Sequence, residues 1–260
     1  MTNSRREFLK IASAGAACAS LGMSVGTEPT LGMIFPPANY EVPPEAKRMY
    51  PTGIRFIGIG IGLPSMTPAG YDSVIDKIVP TAMQLKKDGA NAISIMGTSL
   101  TFYKGAAFNQ QLQDAVKKAT GLPTTTMSNG IVEGLRAGGA RKIAVATAYN
   151  EEVTDRLKVF LHENGFEVVK AKGLGILLNI PQSAHDGLLE FSAGVKESAP
   201  DADSLLVSCG GLKTLDLIVP LEKRCKVPVV SSQPHGLWNG VKLLGLSARV
   251  EGYGSVLAKG

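Results

Sequence analysis

The chain has little of what usually advertises chemistry. Its 260 residues include three cysteines, three histidines and one tryptophan, and aromatic residues make up only 6%. Three cysteines cannot staple a chain of this length, so its stability must come from a hydrophobic core. The 44% hydrophobic content is ample for one. His162, His185 and His235 are far apart and show no metal-ligand spacing, so no metal site is expected. The net charge is +5, and residues 1–26 carry +2 of it through Arg5, Arg6 and Lys10 against Glu7. The balance is weak and scattered, and no RNA-binding motif accompanies it, so no nucleic-acid partner is expected. Charged residues at 19% are ordinary for a globular enzyme and argue against disorder.

Long apolar runs are also missing. The nearest is Ile11 to Val25, short and interrupted by serine and glycine, a poor permanent membrane anchor. It follows Ser4-Arg5-Arg6-Glu7-Phe8-Leu9-Lys10, which looks like a twin-arginine export signal. Residues 1–26 are therefore read as a signal peptide, the twin-arginine export machinery as a partner, and the periplasm as the destination. Cleavage is expected between Ala19 and Thr27. Cys18 is a weak lipidation site, because Gly15-Ala16-Ala17 lacks a large aliphatic residue.

What remains alternates strands with helices. Strands are expected at Thr30–Phe35, Ile54–Ile61, Ala92–Met96, Leu122–Met127, Lys142–Tyr149, Phe166–Ala171, Ser204–Ser208 and Val227–Ser231. Helices are expected at Tyr71–Lys87, kinked or split by Pro80, and at Phe108–Thr120, capped by Gly121. Further helices should begin at Gly130 and cover Glu151–Asn164, His185–Ser198 and Thr214–Arg224. This is an α/β pattern with parallel sheets.

One stretch, Leu205 to Leu212, organises the rest. It reads as a buried strand ending in Ser208-Cys209, then Gly210-Gly211, where the backbone can turn tightly. The following helix should aim its first free N–H groups at the strand tip, which makes a thiol chemically useful. Cys225 lies 16 residues beyond Cys209. With a helix about 16 Å long between them, the two should not pair.

The two halves look like copies. Ser94 to Ser99 lines up with Leu206 to Gly211, and the stretch from Gly121 lines up with that from Lys226. Two pseudo-symmetric lobes follow, residues 27–138 and 139–232, with 233–260 packing back on the first. Both glycine-bearing loops then lie at carboxyl ends of strands, where open α/β sheets bind ligands, and should face each other across a cleft.

The segments Met96 to Asn109, Ala146 to Tyr149 and Ser208 to Leu212 resemble the aspartate/glutamate racemase superfamily, and within it the arylmalonate decarboxylase family. Most superfamily members use one cysteine per lobe; here the first-lobe slot is Gly97 and only Cys209 remains. The resemblance implies cofactor-independent decarboxylation of an aryl- or alkenyl-malonate, a small dicarboxylate, to a chiral monoacid. It places Thr98, Ser99 and Tyr149, with backbone N–H groups near Ser99 and Gly210, around the two oxygens of an enediolate. Cys209 supplies the proton. Gly97, Pro36, Leu63, Met66 and Gly211 fall at substrate-binding positions, and Asn179 and Gln182 stand where the family is apolar. His235 is expected at the cleft edge. These departures put aryl specificity in question. The rivals are a racemase or cis–trans isomerase of the same superfamily, with His235 replacing the missing cysteine, and an exported binding protein without catalysis.

Overall fold

The computed structural model describes residues 28–260, so the leader lies outside the described residues. Every strand is parallel to its neighbours, as expected for buried runs such as Thr30–Phe35, where all six residues are buried. The first half runs β1 (Thr30–Phe35), α1 (Pro44–Met49), β2 (Arg55–Gly60), α2 (Pro68–Asp72), α3 (Ile78–Lys87), β3 (Ala92–Ile95), α4 (Thr98–Phe102), α5 (Gly105–Thr120), β4 (Thr124–Thr126) and α6 (Met127–Gly138). The second runs β5 (Lys142–Thr147), α7 (Glu151–Glu163), β6 (Glu167–Gly173), α8 (Gln182–Asp186), α9 (Leu188–Glu197), β7 (Ser204–Ser208), α10 (Ile218–Cys225), β8 (Val229–Ser231) and α11 (Ser232–Lys242). The two sheets have orders β2-β1-β3-β4 and β6-β5-β7-β8. They are one topology written twice, and the two halves expected from the repeat are present.

Several boundaries differ from expectation for local reasons. The helix expected at Tyr71–Lys87 is interrupted before Pro80, by a 3₁₀ turn at Ile75–Lys77. Pro80 sits in the first turn of α3, where its missing N–H costs nothing. Gly187 divides the expected His185–Ser198 helix into α8 and α9. The helix expected from Thr214 starts only at Ile218, after a 3₁₀ turn at Leu215–Leu217. α1, α4 and α11 were not expected, since short helices and buried helices without a polar face leave little periodic signal.

The lobes meet through α6 and α11, which occupy equivalent places in the two halves. Glycine makes the approach close: a β-carbon on Gly130 would lie 2.6 Å from the His235 carbonyl oxygen, and one on Gly134 2.7 Å from the His235 ring. α11 also packs on β3 and β4. His235 lies inside this contact with no exposed surface. It is therefore not at the cleft edge, contrary to the sequence-based expectation. The glycines of α6 create the slot that holds its ring.

Candidate active site

In each sheet the chain order reverses beside the first strand: β1 has β2 on one side and β3 on the other, and β5 has β6 and β7. The crevice at such a switch point opens beyond the strands' carboxyl ends. After β1 come Pro36 and Pro37, after β3 Gly97, after β5 Ala148 and Tyr149, and after β7 Cys209. All four loops reach one cavity of about 590 Å³, lined from both lobes. The loop after β2 and the loop after β6 close its side, joined where the Met66 N–H donates to the Leu177 carbonyl at 2.6 Å.

Among the sequence-predicted residues, Pro36, Leu63, Met66, Gly97, Thr98, Ser99, Tyr149, Asn179, Cys209, Gly210 and Gly211 all line this cavity. Gln182 does not. It begins α8, exposed, and its amide donates to Asp186 instead. Gln182 and His185 lie on the same short helix, and of the two only His185 lines the cavity.

Cys209 is buried at the tip of β7. Its backbone N–H donates to Ser232 Oγ at 3.0 Å, and a tight turn brings the Leu212 N–H to the Cys209 carbonyl at 3.1 Å. Burial pushes the thiol's pKa up, opposed by the N–H groups of Gly211 and Leu212 and by the Tyr149 hydroxyl. The N–H groups at the sulfur thus come from this turn, and not from a following helix as expected. Burial prevails, so Cys209 is a thiol at neutral pH.

On the first lobe, Gly97 precedes α4, whose first N–H groups have no partner one turn back. Thr98 and Ser99 are both buried in that first turn. The Thr98 hydroxyl donates to Met127 Sδ at 2.8 Å. Tyr149 Oη is fully buried with no hydrogen-bond partner in the described protein, although Ser99, Ser208 and Cys209 surround it. Burial and the nearby sulfur push its pKa well up, so it is a proton-bearing donor. Tyr71 repeats this arrangement. Its hydroxyl is buried, unpartnered and beside Ser99, and burial also pushes its pKa up. Sequence reasoning missed Tyr71 because its spacing places it on the packed face of a helix, where an aromatic reads as core. Buried hydroxyls are normally satisfied, and two orphans beside one serine mark a place prepared for an acceptor.

Among the described residues no lysine, arginine, aspartate or glutamate lines the cavity. Its titratable lining groups are Cys209, Tyr40, Tyr149 and His185. Tyr40 is pushed up to about 12, chiefly by burial, and His185 is pushed down by burial and by Lys213. At neutral pH both tyrosines hold their protons and His185 has already lost its extra one. Of the two tyrosines and the thiol, the thiol has the lowest ordinary pKa. Among the described residues no group of three or more His, Cys, Asp or Glu side chains is arranged to hold a metal ion.

A family profile described as arylmalonate decarboxylase matches residues 31–257. The chain is 48% identical over 235 residues to the arylmalonate decarboxylase of Bordetella bronchiseptica, covering 89% of this chain and 98% of that one. A liganded structure of an arylmalonate decarboxylase carrying a glycine-to-cysteine and a cysteine-to-serine substitution superposes with a TM-score of 0.84. It is 45% identical, and the match covers 89% of this chain and all of that one. The fold extends further, to a maleate cis–trans isomerase of Nocardia farcinica at 18% identity and TM-score 0.81, covering 89% of this chain and 99% of that one.

Proposed function

The chain belongs to the arylmalonate decarboxylase family, a family of carboxy-lyases, and from that membership we propose that it releases CO₂ from a disubstituted aryl- or alkenyl-malonate and protonates the remaining carbanion through Cys209. The observation that carries the mechanism is the cavity's lining: among the described residues no lysine, arginine, aspartate or glutamate lines it, and Cys209 is the one thiol there, held protonated by burial.

One carboxylate of the substrate lies against Ser99, Thr98 and Tyr149, with Tyr71 behind Ser99, and against the N–H groups at the starts of the Ser99 and Gly210 turns. The other points to the apolar wall of Pro36, Leu63 and Met66. A carboxylate there is poorly solvated, and becoming neutral CO₂ relieves that cost. As the C–C bond breaks, its electron pair passes to the α-carbon and is shared with the retained carboxylate as an enediolate. Fixed neutral donors stabilise that growing charge without reorganising. The S–H proton then goes to the carbon, and the thiolate regains a proton from solvent. Delivery from one sulfur reaches one face, so the product is a single enantiomer.

An isomerase or racemase would need a second acid–base group. Gly97 has no side chain to provide it, and His235 is buried between α6 and α11, outside the cavity lining. We also propose that the Ser4–Lys10 motif directs export of the folded enzyme to the periplasm. A panel of substituted malonates scored for CO₂ release tests the activity. Turnover of at least one supports the decarboxylase reading, and tight binding without CO₂ release from any of them favours an exported binding protein.

A further inference from the structure

Burial divides the cavity into a closed floor and an open mouth. Thr98, Ser99, Tyr149 and Cys209 are buried, whereas Leu178 and Asn179 are exposed and His185 is partly exposed. The decarboxylation chemistry uses the floor and the apolar wall. It leaves the polar groups of the mouth without a role.

Two of those groups, Asn179 and His185, can donate hydrogen bonds. Asn179 adopts the left-handed conformation, φ 46°, in which asparagine is among the few favoured non-glycine residues. The turn places Asn179, which carries a carboxamide, at the mouth. His185 receives the Lys213 backbone N–H at Nδ1, at 3.4 Å. Burial and the Lys213 charge hold its pKa below the ordinary value, so the ring is neutral. With Nδ1 accepting, the tautomer assigned to His185 carries its proton on Nε2. No carboxylate lines the mouth, and Leu178 and Ile180 make the space between the polar groups apolar.

We propose that Asn179 and His185 select malonates whose larger substituent is apolar along its length and ends in a neutral hydrogen-bond acceptor, such as an aryl ether or ketone oxygen. The inference rests on the decarboxylase reading and refines its substrate. A satisfied hydrogen bond favours the matched substrate, and a substituent without the acceptor leaves the two donors to water.

The test compares two malonates of nearly equal size, methyl(4-methoxyphenyl)malonate and methyl(4-ethylphenyl)malonate, which differ in one oxygen for one CH₂. With the parent enzyme the ratio of their kcat/KM values should favour the ether by about three- to tenfold, the range of a neutral hydrogen bond, and mainly through KM. The same ratio measured with His185→Phe and with Asn179→Gly separates recognition from the electronic effect of the substituent, which the variants do not alter. Asn179→Gly keeps the left-handed turn, and His185→Phe keeps a ring. A ratio that falls by threefold or more in either variant supports the proposal. An unchanged ratio in both overturns it while leaving the decarboxylase reading in place. If the parent releases CO₂ from neither compound or any other malonate, the decarboxylase reading falls and this inference with it.

Discussion

A β-carbon on Gly97 would stand 2.7 Å from Cγ of Pro36, closer than two non-bonded carbons come. The first-lobe slot is therefore shaped to hold a hydrogen atom, with the Pro36 ring filling the space where another side chain would begin. The cavity is one-sided as a consequence: Cys209 reaches it from the second lobe, and the titratable lining group of the first among the described residues, Tyr40, keeps its proton at neutral pH.

That asymmetry can be reversed. Gly97→Cys combined with Cys209→Ser moves the thiol to the opposite loop and should invert the enantiomer obtained from a prochiral malonate. Activity should be well below the parent's, because the Pro36 ring must yield to the new side chain. Chiral chromatography reads the result. A still-active double variant giving unchanged handedness would show that Gly97 and Cys209 do not share a substrate.

The hydroxyls beside Ser99 should act in turnover more than in binding. Ser99→Ala, Thr98→Ala, Tyr149→Phe and Tyr71→Phe should each lower kcat, with losses of about 10²–10³ for the strongest, the usual cost of one oxyanion donor. KM should change less. Steady-state kinetics on one malonate decides it, and full activity in all four variants would place the enediolate elsewhere.

Acidity at Cys209 sets the pH profile. A donor works only while protonated, and burial raises this thiol above its ordinary value, so activity should hold through neutral pH and fall at a pH above the usual thiol range. Negative charge on the substrate pushes in the same direction. A kcat profile declining below pH 7.5 would mean that the thiolate is the working form.

His235 should matter for stability and not for chemistry. Its pKa is lowered from 6.5 to about 4 by burial. Between those values the unfolded chain takes up a proton that the folded protein refuses. Stability is thus fully present above about pH 6.5 and declines as pH falls towards 4, by about 3 kcal/mol for this one residue. Urea unfolding at pH 7 and pH 4.5 should show the decline, and His235→Ala should show less of it. Identical slopes in parent and variant would refute the assignment.

Most of the strand framework was legible because parallel strands buried on both faces, such as Leu205–Ser208, read as unbroken apolar runs. The repeat of Gly97 and Cys209 after equivalent strands showed which loops converge. What escaped the sequence depended on turns and on partners distant along the chain. Gln182 shares a short helix with His185, and only His185 reaches the cavity. His235 fits a slot made by glycines a hundred residues earlier. Tyr71 is recognisable only by its unpartnered hydroxyl, since by spacing alone it belongs to the core.

The central claim is tested most directly with methyl(phenyl)malonate and the purified protein, measuring CO₂ and the chirality of the 2-phenylpropionate formed, beside Cys209→Ser and Cys225→Ser. The account predicts one CO₂ per acid and a single enantiomer from the parent, near-complete loss with Cys209→Ser, and a rate within a few-fold of the parent with Cys225→Ser. No CO₂ from the parent, a racemic acid, or equal losses from the two cysteine variants would contradict it.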